Sequence, residues 1–207
     1  MTKITIALCL LVLAASAAGQ ASATRINHGS NELNIWVGGS IKPITAFSGV
    51  TPEEARSRKF FIVGLGYARA IAVSKSLALQ YTVDVIPIAI ATNDILKFTA
   101  PPEPRGTAYG FGVIPLGLRL NFRNESAAKP FVAIGAGGML FNRPVPLPDA
   151  GKFAFALEGG GGIRWFRSSG RAISVGAKLH HLSNGNRSGS NRGLNQLVVY
   201  MGFSFMK

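Results

Sequence analysis

The chain has 207 residues, 47% of them hydrophobic, and a formal net charge of +13 from 22 Lys and Arg against 9 Asp and Glu. That length holds one domain with a substantial core, and a lone cysteine, Cys9, excludes a disulfide framework. The basic residues are scattered, not gathered into a run, which argues against nucleic acid and for a phosphate-rich lipid surface as partner.

Residues 1–23 read as a secretory signal peptide. Lys3 gives the positive start, residues 4–15 the apolar run, and Ala21-Ser22-Ala23 the small-residue cleavage signal. Cys9 leaves with it, so the mature chain, starting near Thr24, carries no thiol chemistry. Residues 24–207 form the domain. No later apolar run reaches the roughly 18 residues of a transmembrane helix.

What recurs instead is glycine-rich, aromatic and β-branched sequence. It predicts eight strands at about 32–41, 59–73, 76–91, 106–123, 129–141, 152–167, 171–183 and 194–205. Tight polar turns at Ser74-Lys75, 124–128 and Ser168-Ser169-Gly170 alternate with longer links at 42–57, 92–105, 142–150 and 184–192. Outer-membrane barrels put short turns in the periplasm and long loops outside. The predicted class is therefore all-β, an eight-stranded antiparallel transmembrane β-barrel of the bacterial outer membrane.

Side-chain parity agrees with that class. In the third strand Leu77, Leu79, Tyr81 and Val83 oppose Gln80, Thr82 and Asp84. In the sixth, Phe153, Phe155, Leu157, Ile163 and Trp165 oppose Glu158 and Arg164. In the seventh, Ile173, Val175, Ala177 and Leu179 oppose Ser174, Gly176, Lys178 and His180. The eighth sets Leu197, Val199, Met201, Phe203 and Phe205 against Gln196, Tyr200, Gly202 and Ser204, with Val198 an exception. Apolar residues outside and polar ones inside are the pattern of a membrane barrel; a soluble barrel inverts it.

The chemistry gathers at the end of the seventh strand. His181 and Ser183 are two residues apart, so they leave the same, lipid-facing side of the sheet. A serine becomes a nucleophile when a base takes its proton, and the base needs a third group to hold its ring. A symmetric hairpin puts Asn195, on the outward row of the eighth strand, opposite or diagonal to the pair. Asn184 and Asn191 in the connecting loop can supply amide donors to an oxyanion, and Arg187 and Arg192 can hold phosphates. For a lone histidine, an interfacial side chain meeting headgroups is the better reading; Ser183 and Asn195 on the same face favour a site.

Other motifs carry less. Adjacent His180 and His181 point apart and form no metal pair, and His28 is unspecific, so neither a metal nor a cofactor is expected. Gly159-Gly160-Gly161-Gly162 and Gly135-Ala136-Gly137-Gly138 lie inside strands, where glycine serves curvature or close packing better than phosphate binding. Glu158, Arg164, Asp84 and Arg119 face the lumen, as an interior ion-pair network.

His181-x-Ser183-Asn184, then Asn191-x-Gly193 and a last strand closing on aromatics, resembles the outer-membrane lipid A 3-O-deacylase family, often labelled acyloxyacyl hydrolase. The similarity extends to Asp84-Val85-Ile86-Pro87, Tyr109-Gly110-Phe111-Gly112 and Gly135-Ala136-Gly137-Gly138. The resemblance implies an eight-stranded barrel that removes an ester-linked acyl chain from lipid A, with lipopolysaccharide and outer-membrane lipid as partners. The family's serine and histidine map to Ser183 and His181, and its oxyanion asparagine to Asn191, with Asn184 nearby. Two positions depart from the pattern. Asn-Pro-Gly becomes Asn191-Arg192-Gly193, and the triad glutamate falls on Asn195, which can orient an imidazole but cannot offset its charge. Three readings stand: an esterase acting on lipid A, a silent barrel living in lipopolysaccharide, and an outer-membrane phospholipase.

Overall fold

The computed structural model describes residues 25–44, 58–93, 106–146, 150–167, 169–189, 191 and 193–207. The expected signal peptide lies outside them. The described residues form eight strands: β1 (Asn31–Pro43), β2 (Lys59–Val73), β3 (Leu77–Asn93), β4 (Gly106–Phe122), β5 (Ala128–Phe141), β6 (Phe153–Phe166), β7 (Arg171–Ser183) and β8 (Leu194–Met206). Each pairs antiparallel with its sequence neighbour, and β1 pairs with β8, closing the barrel. Closure leaves no ladder edge, which a backbone in hydrocarbon cannot tolerate.

The strand boundaries match expectation closely, with two extensions. β1 runs on through Pro43 and β3 through Asn93, because their neighbours continue the ladder at Pro43↔Gln196 and Asn93↔Gly106. Lys42, Pro43 and Thr92 read as loop residues in isolation; a partner strand makes them ladder.

Parity holds on β6, β7 and β8, and Val198 joins the interior with no exposure. On β3 and β4 the alternation switches partway. Ile86 and Ala89 are both buried with Pro87 and Ile88 exposed between them, and Ile114 and Gly117 bracket exposed Pro115 and Leu116. Register shifts fall at the same points. Proline cannot donate to a ladder, so it belongs where a bulge interrupts one.

The barrel exterior is a lipid surface: Leu33, Ile41, Leu116 and Ile134 are each more than 60% exposed. The interior is filled in storeys. Nearest the short turns, buried Glu32 accepts from Arg164 Nη2 at 2.5 Å and Arg119 Nη2 at 3.0 Å, with Gln80 and Asn121 completing the network. Ile26 plugs this mouth, held by paired hydrogen bonds to Asn124. In the middle, Glu158 accepts from Lys178 Nζ and from His180 Nδ1, both at 2.7 Å, and Trp36 Nε1 donates to Asp84. Toward the long loops the lumen turns apolar, with Phe60, Ile62, Met139, Leu182, Leu194 and Val198 packed together. The four residues expected to form one interior ion-pair network do face the lumen, but in separate storeys: Arg119 and Arg164 pair with Glu32, Glu158 pairs with Lys178 and His180, and Asp84 is held by Trp36.

Gly160 and Gly162 inside β6 serve close packing, as expected. At Gly160 and Gly162 an added Cβ would fall 2.2 Å from the carbonyl oxygens of Ala177 and Val175, so only glycine lets β6 approach β7 this closely.

Candidate functional site

At the long-loop end of β7, the outward row ends with Leu179, His181 and Ser183. The register sets His181 opposite Asn195 on β8 and opposite Leu157 on β6. His181 Nδ1–H donates to the side-chain oxygen of Asn195. An amide oxygen can only accept, so Nδ1 carries a proton, and in the neutral ring this contact selects the tautomer with the lone pair on Nε2. His180 is turned inside, buried against Glu158 with its ring stacked on Phe60 at 5.0 Å between centroids.

Ser183 is one residue past the last β7–β8 pair, Leu182↔Leu194, and faces Phe155 of β6. Among the described residues no hydrogen bond joins Ser183 to His181. Base and nucleophile are often apart until substrate closes the contact.

The loop after Ser183 is tightly tied. The Asn184 backbone N–H donates to Asn191 Oδ1 at 3.0 Å, bringing the Asn191 side chain against the residue that follows the serine. With its oxygen engaged, Asn191 keeps its amide NH₂ as the donor group. The Asn184 side chain is spent on the loops: Nδ2 donates to the Ala150 carbonyl at 2.7 Å, and Oδ1 accepts from the Asn186 backbone at 2.9 Å. Gly185 and Asn186 take positive φ of 63° and 60° to make that turn.

Gly193 seats the histidine. A Cβ there would stand 3.0 Å from His181 Cε1 and 3.3 Å from the Leu182 carbonyl, tight enough to press on the ring. Buried Arg58, just ahead of β2, donates Nη1 to the Gly193 carbonyl at 3.2 Å. Sequence reasoning missed Arg58, because 135 positions separate it from its partner.

A groove of about 290 Å³ on the outer wall is lined by Leu157, Glu158, Gly159, Leu179, His181 and Asn195. Gly159 leaves open space where a side chain would stand. Glu158 lines the groove while its carboxylate points inward to Lys178 and His180, so it does not replace the missing acid at His181. Arg187 is exposed with its guanidinium 6.0 Å over the Phe155 ring, beside Ser183. Arg192 lies outside the described residues, and His28 is at the opposite end of the barrel.

Of the residues picked out from sequence, the structure brings His181 and Asn195 into contact and puts Ser183, Asn184, Asn191 and Arg187 around the same end of β7. Such a set suits acyl transfer: a hydroxyl, a base of fixed tautomer, amide donors and an adjacent apolar groove.

Comparison with known proteins bears on what this set does. The family model described as lipid A 3-O-deacylase (PagL) matches residues 93–204. Among solved structures, the outer membrane enzyme PagL superposes with a TM-score of 0.56 at 15% identity, covering 83% of this chain and 97% of that one. Neisserial surface protein A gives 0.52 at 11% identity over 86% and 99% of the two chains. OprG from Pseudomonas aeruginosa gives 0.50 at 10% identity over 91% and 99%. At these identities the structural likeness speaks for the fold. No curated protein matches the chain.

Proposed function

Because this chain belongs to the lipid A 3-O-deacylase (PagL) family, we propose that it is an outer-membrane serine esterase that removes an ester-linked acyl chain from lipid A. The long-loop end is the extracellular one in this reading, which puts the outward face of β7 in the leaflet where lipid A resides. The observation that carries the proposal is the bond from His181 Nδ1–H to Asn195, with Ser183 next along the same lipid-facing row.

The steps follow from that geometry. His181 Nε2 takes the Ser183 hydroxyl proton as Oγ attacks the ester carbonyl, and the carbonyl oxygen becomes an oxyanion met by the Asn191 amide. Collapse expels the sugar hydroxyl, which receives the proton from His181, and leaves Ser183 acylated. Water, deprotonated by His181, then frees the fatty acid and restores the serine. Asn195 orients the ring throughout. Asn184 acts through its backbone, by holding Asn191, and the groove along Leu157, Gly159 and Leu179 receives the acyl chain. Arg187 and Arg192 supply positive charge to the substrate's phosphates.

A second reading, a barrel that binds lipopolysaccharide without turning it over, draws support from one feature: position 195 carries no carboxylate. In a serine protease, changing the triad aspartate to asparagine costs about 10⁴-fold in rate. Purified protein incubated with lipid A in detergent micelles separates the two. Release of free fatty acid by the wild type and none by Ser183→Ala supports the esterase; no release by either supports the silent barrel. Release from glycerophospholipid but not from lipid A would reassign the substrate to phospholipid.

A further inference from the structure

A second cleft lies beside the site and shares Asn184 and Arg187 with it. It is formed by the loop entering β6 and the loop leaving β7, has a volume of about 250 Å³, and is lined by Gly151, Lys152, Phe153, Asn184, Arg187 and Ser188. Resting on the esterase reading above, we propose that this cleft is the binding site for a phosphate ester on the sugar headgroup of the substrate glycolipid, with Lys152, Arg187 and Ser188 as its ligands.

The two cations come from different loops, 35 positions apart in sequence, and among the described residues no acidic side chain lines the cleft with them. A cleft with cations on its walls selects an anion. Ser188 adds a hydroxyl in the right place. Gly151, at φ 84°, leaves the space that the Ser188 hydroxyl occupies; a Cβ there would come within 2.5 Å of its Oγ.

The walls are fixed in advance. The Asn184 amide donates to the Ala150 carbonyl at 2.7 Å and so ties one loop to the other across the cleft floor. Gly151 accepts from the Val145 backbone at 3.1 Å, and the Arg187 backbone donates to the Asn184 carbonyl at 3.3 Å. With these bonds in place, binding an anion orders the side-chain ends of Lys152, Arg187 and Ser188.

Location supplies the chemical class. Arg187 lies over Phe155, whose ring meets Phe153 edge-on at 5.1 Å between centroids, and Phe155 stands opposite Ser183. Outward aromatics at the end of a strand mark headgroup depth in a membrane barrel. A phosphate bound at this depth therefore belongs to the same molecule whose acyl ester reaches Ser183. Guanidinium suits it by bidentate hydrogen bonding and ammonium by point charge.

Binding is measured in the Ser183→Ala background, so that the outcome does not depend on turnover. The probes are lipid A carrying its phosphates and the same lipid after chemical dephosphorylation, titrated into protein in zwitterionic detergent micelles. The phosphorylated lipid should bind at least about tenfold tighter, a preference that shrinks at high salt. Adding Lys152→Gln and Arg187→Gln should erase that preference while leaving affinity for the dephosphorylated lipid unchanged. Both side chains are exposed, and a retained heat-modifiable gel shift checks that the barrel is folded. Equal affinity for the two lipids overturns the proposal, as does a loss that falls equally on both. Displacement by phosphatidylglycerol as effective as by phosphorylated lipid A would overturn the assignment to a sugar phosphate. Absence of turnover by the wild type, measured separately, sinks the esterase reading and leaves this binding result standing by itself.

Discussion

His181 and Asn195 face each other across the β7–β8 ladder, and the Asn195 amide oxygen accepts the imidazole Nδ1–H on the lipid-facing side of the barrel. One residue along each strand, His180 and Gln196 form the next pair and point into the lumen. Two neighbouring histidines thus carry different chemistry for a reason as simple as strand parity.

That parity gives the first prediction. Ser183→Ala and His181→Ala should each lower kcat on lipid A by at least about 10³-fold, the scale of losing a triad member. His180→Ala should cost less than about tenfold in rate, because its ring contacts Glu158 and Phe60 inside. Steady-state kinetics on purified, folded variants check this. Equal losses from the two histidines would contradict the assignment.

Asn195→Glu should raise kcat, by about tenfold or more, and leave KM nearly unchanged. A carboxylate would keep the Nδ1–H bond and also offset the imidazolium charge, which exists only as the reaction proceeds. Asn195→Ala should lower kcat instead. A slower Asn195→Glu enzyme with an intact fold would count against Asn195 as the orienting member.

Gly193→Ala should reduce kcat by about tenfold or more with little change in the stability of the barrel. The added methyl would push on His181 Cε1 and the Leu182 carbonyl, at 3.0 and 3.3 Å, at the loop end of the sheet. Unaltered kcat in this variant would mean that the ring position does not limit the reaction.

Glu32→Ala should leave the chemistry alone and weaken the fold. It strands Arg164 and Arg119 in the lumen, where removing one partner of a buried pair costs about 3–5 kcal/mol. Urea unfolding in lipid vesicles reads the loss as a lower midpoint, and fatty-acid release from the variant before unfolding should stay near the wild-type rate.

Much of this is legible in the sequence, for identifiable reasons. The barrel is readable because lipid and lumen impose opposite demands on alternate residues, most clearly on β7 and β8. His181, Ser183 and Asn195 share a face by counting alone once the hairpin is taken as symmetric. What counting cannot see is a bulge: past Pro87 and Pro115 the inward set changes, and only the partner strand reveals it. Val198 breaks the pattern because the upper lumen is apolar, packed by residues from several strands. Arg58, Lys152 and the clamp from Asn184 to Ala150 depend on contacts between segments far apart in the chain. No local pattern encodes them.

The central claim, that Ser183 deacylates lipid A in the outer membrane, is tested most directly by mass spectrometry of lipid A extracted from cells expressing the protein. Wild-type expression should shift the lipid A mass down by that of a single ester-linked acyl chain, and Ser183→Ala, present in the membrane at the same level, should give no shift. Unshifted lipid A with folded wild-type protein, or the same shift from Ser183→Ala, would contradict the account.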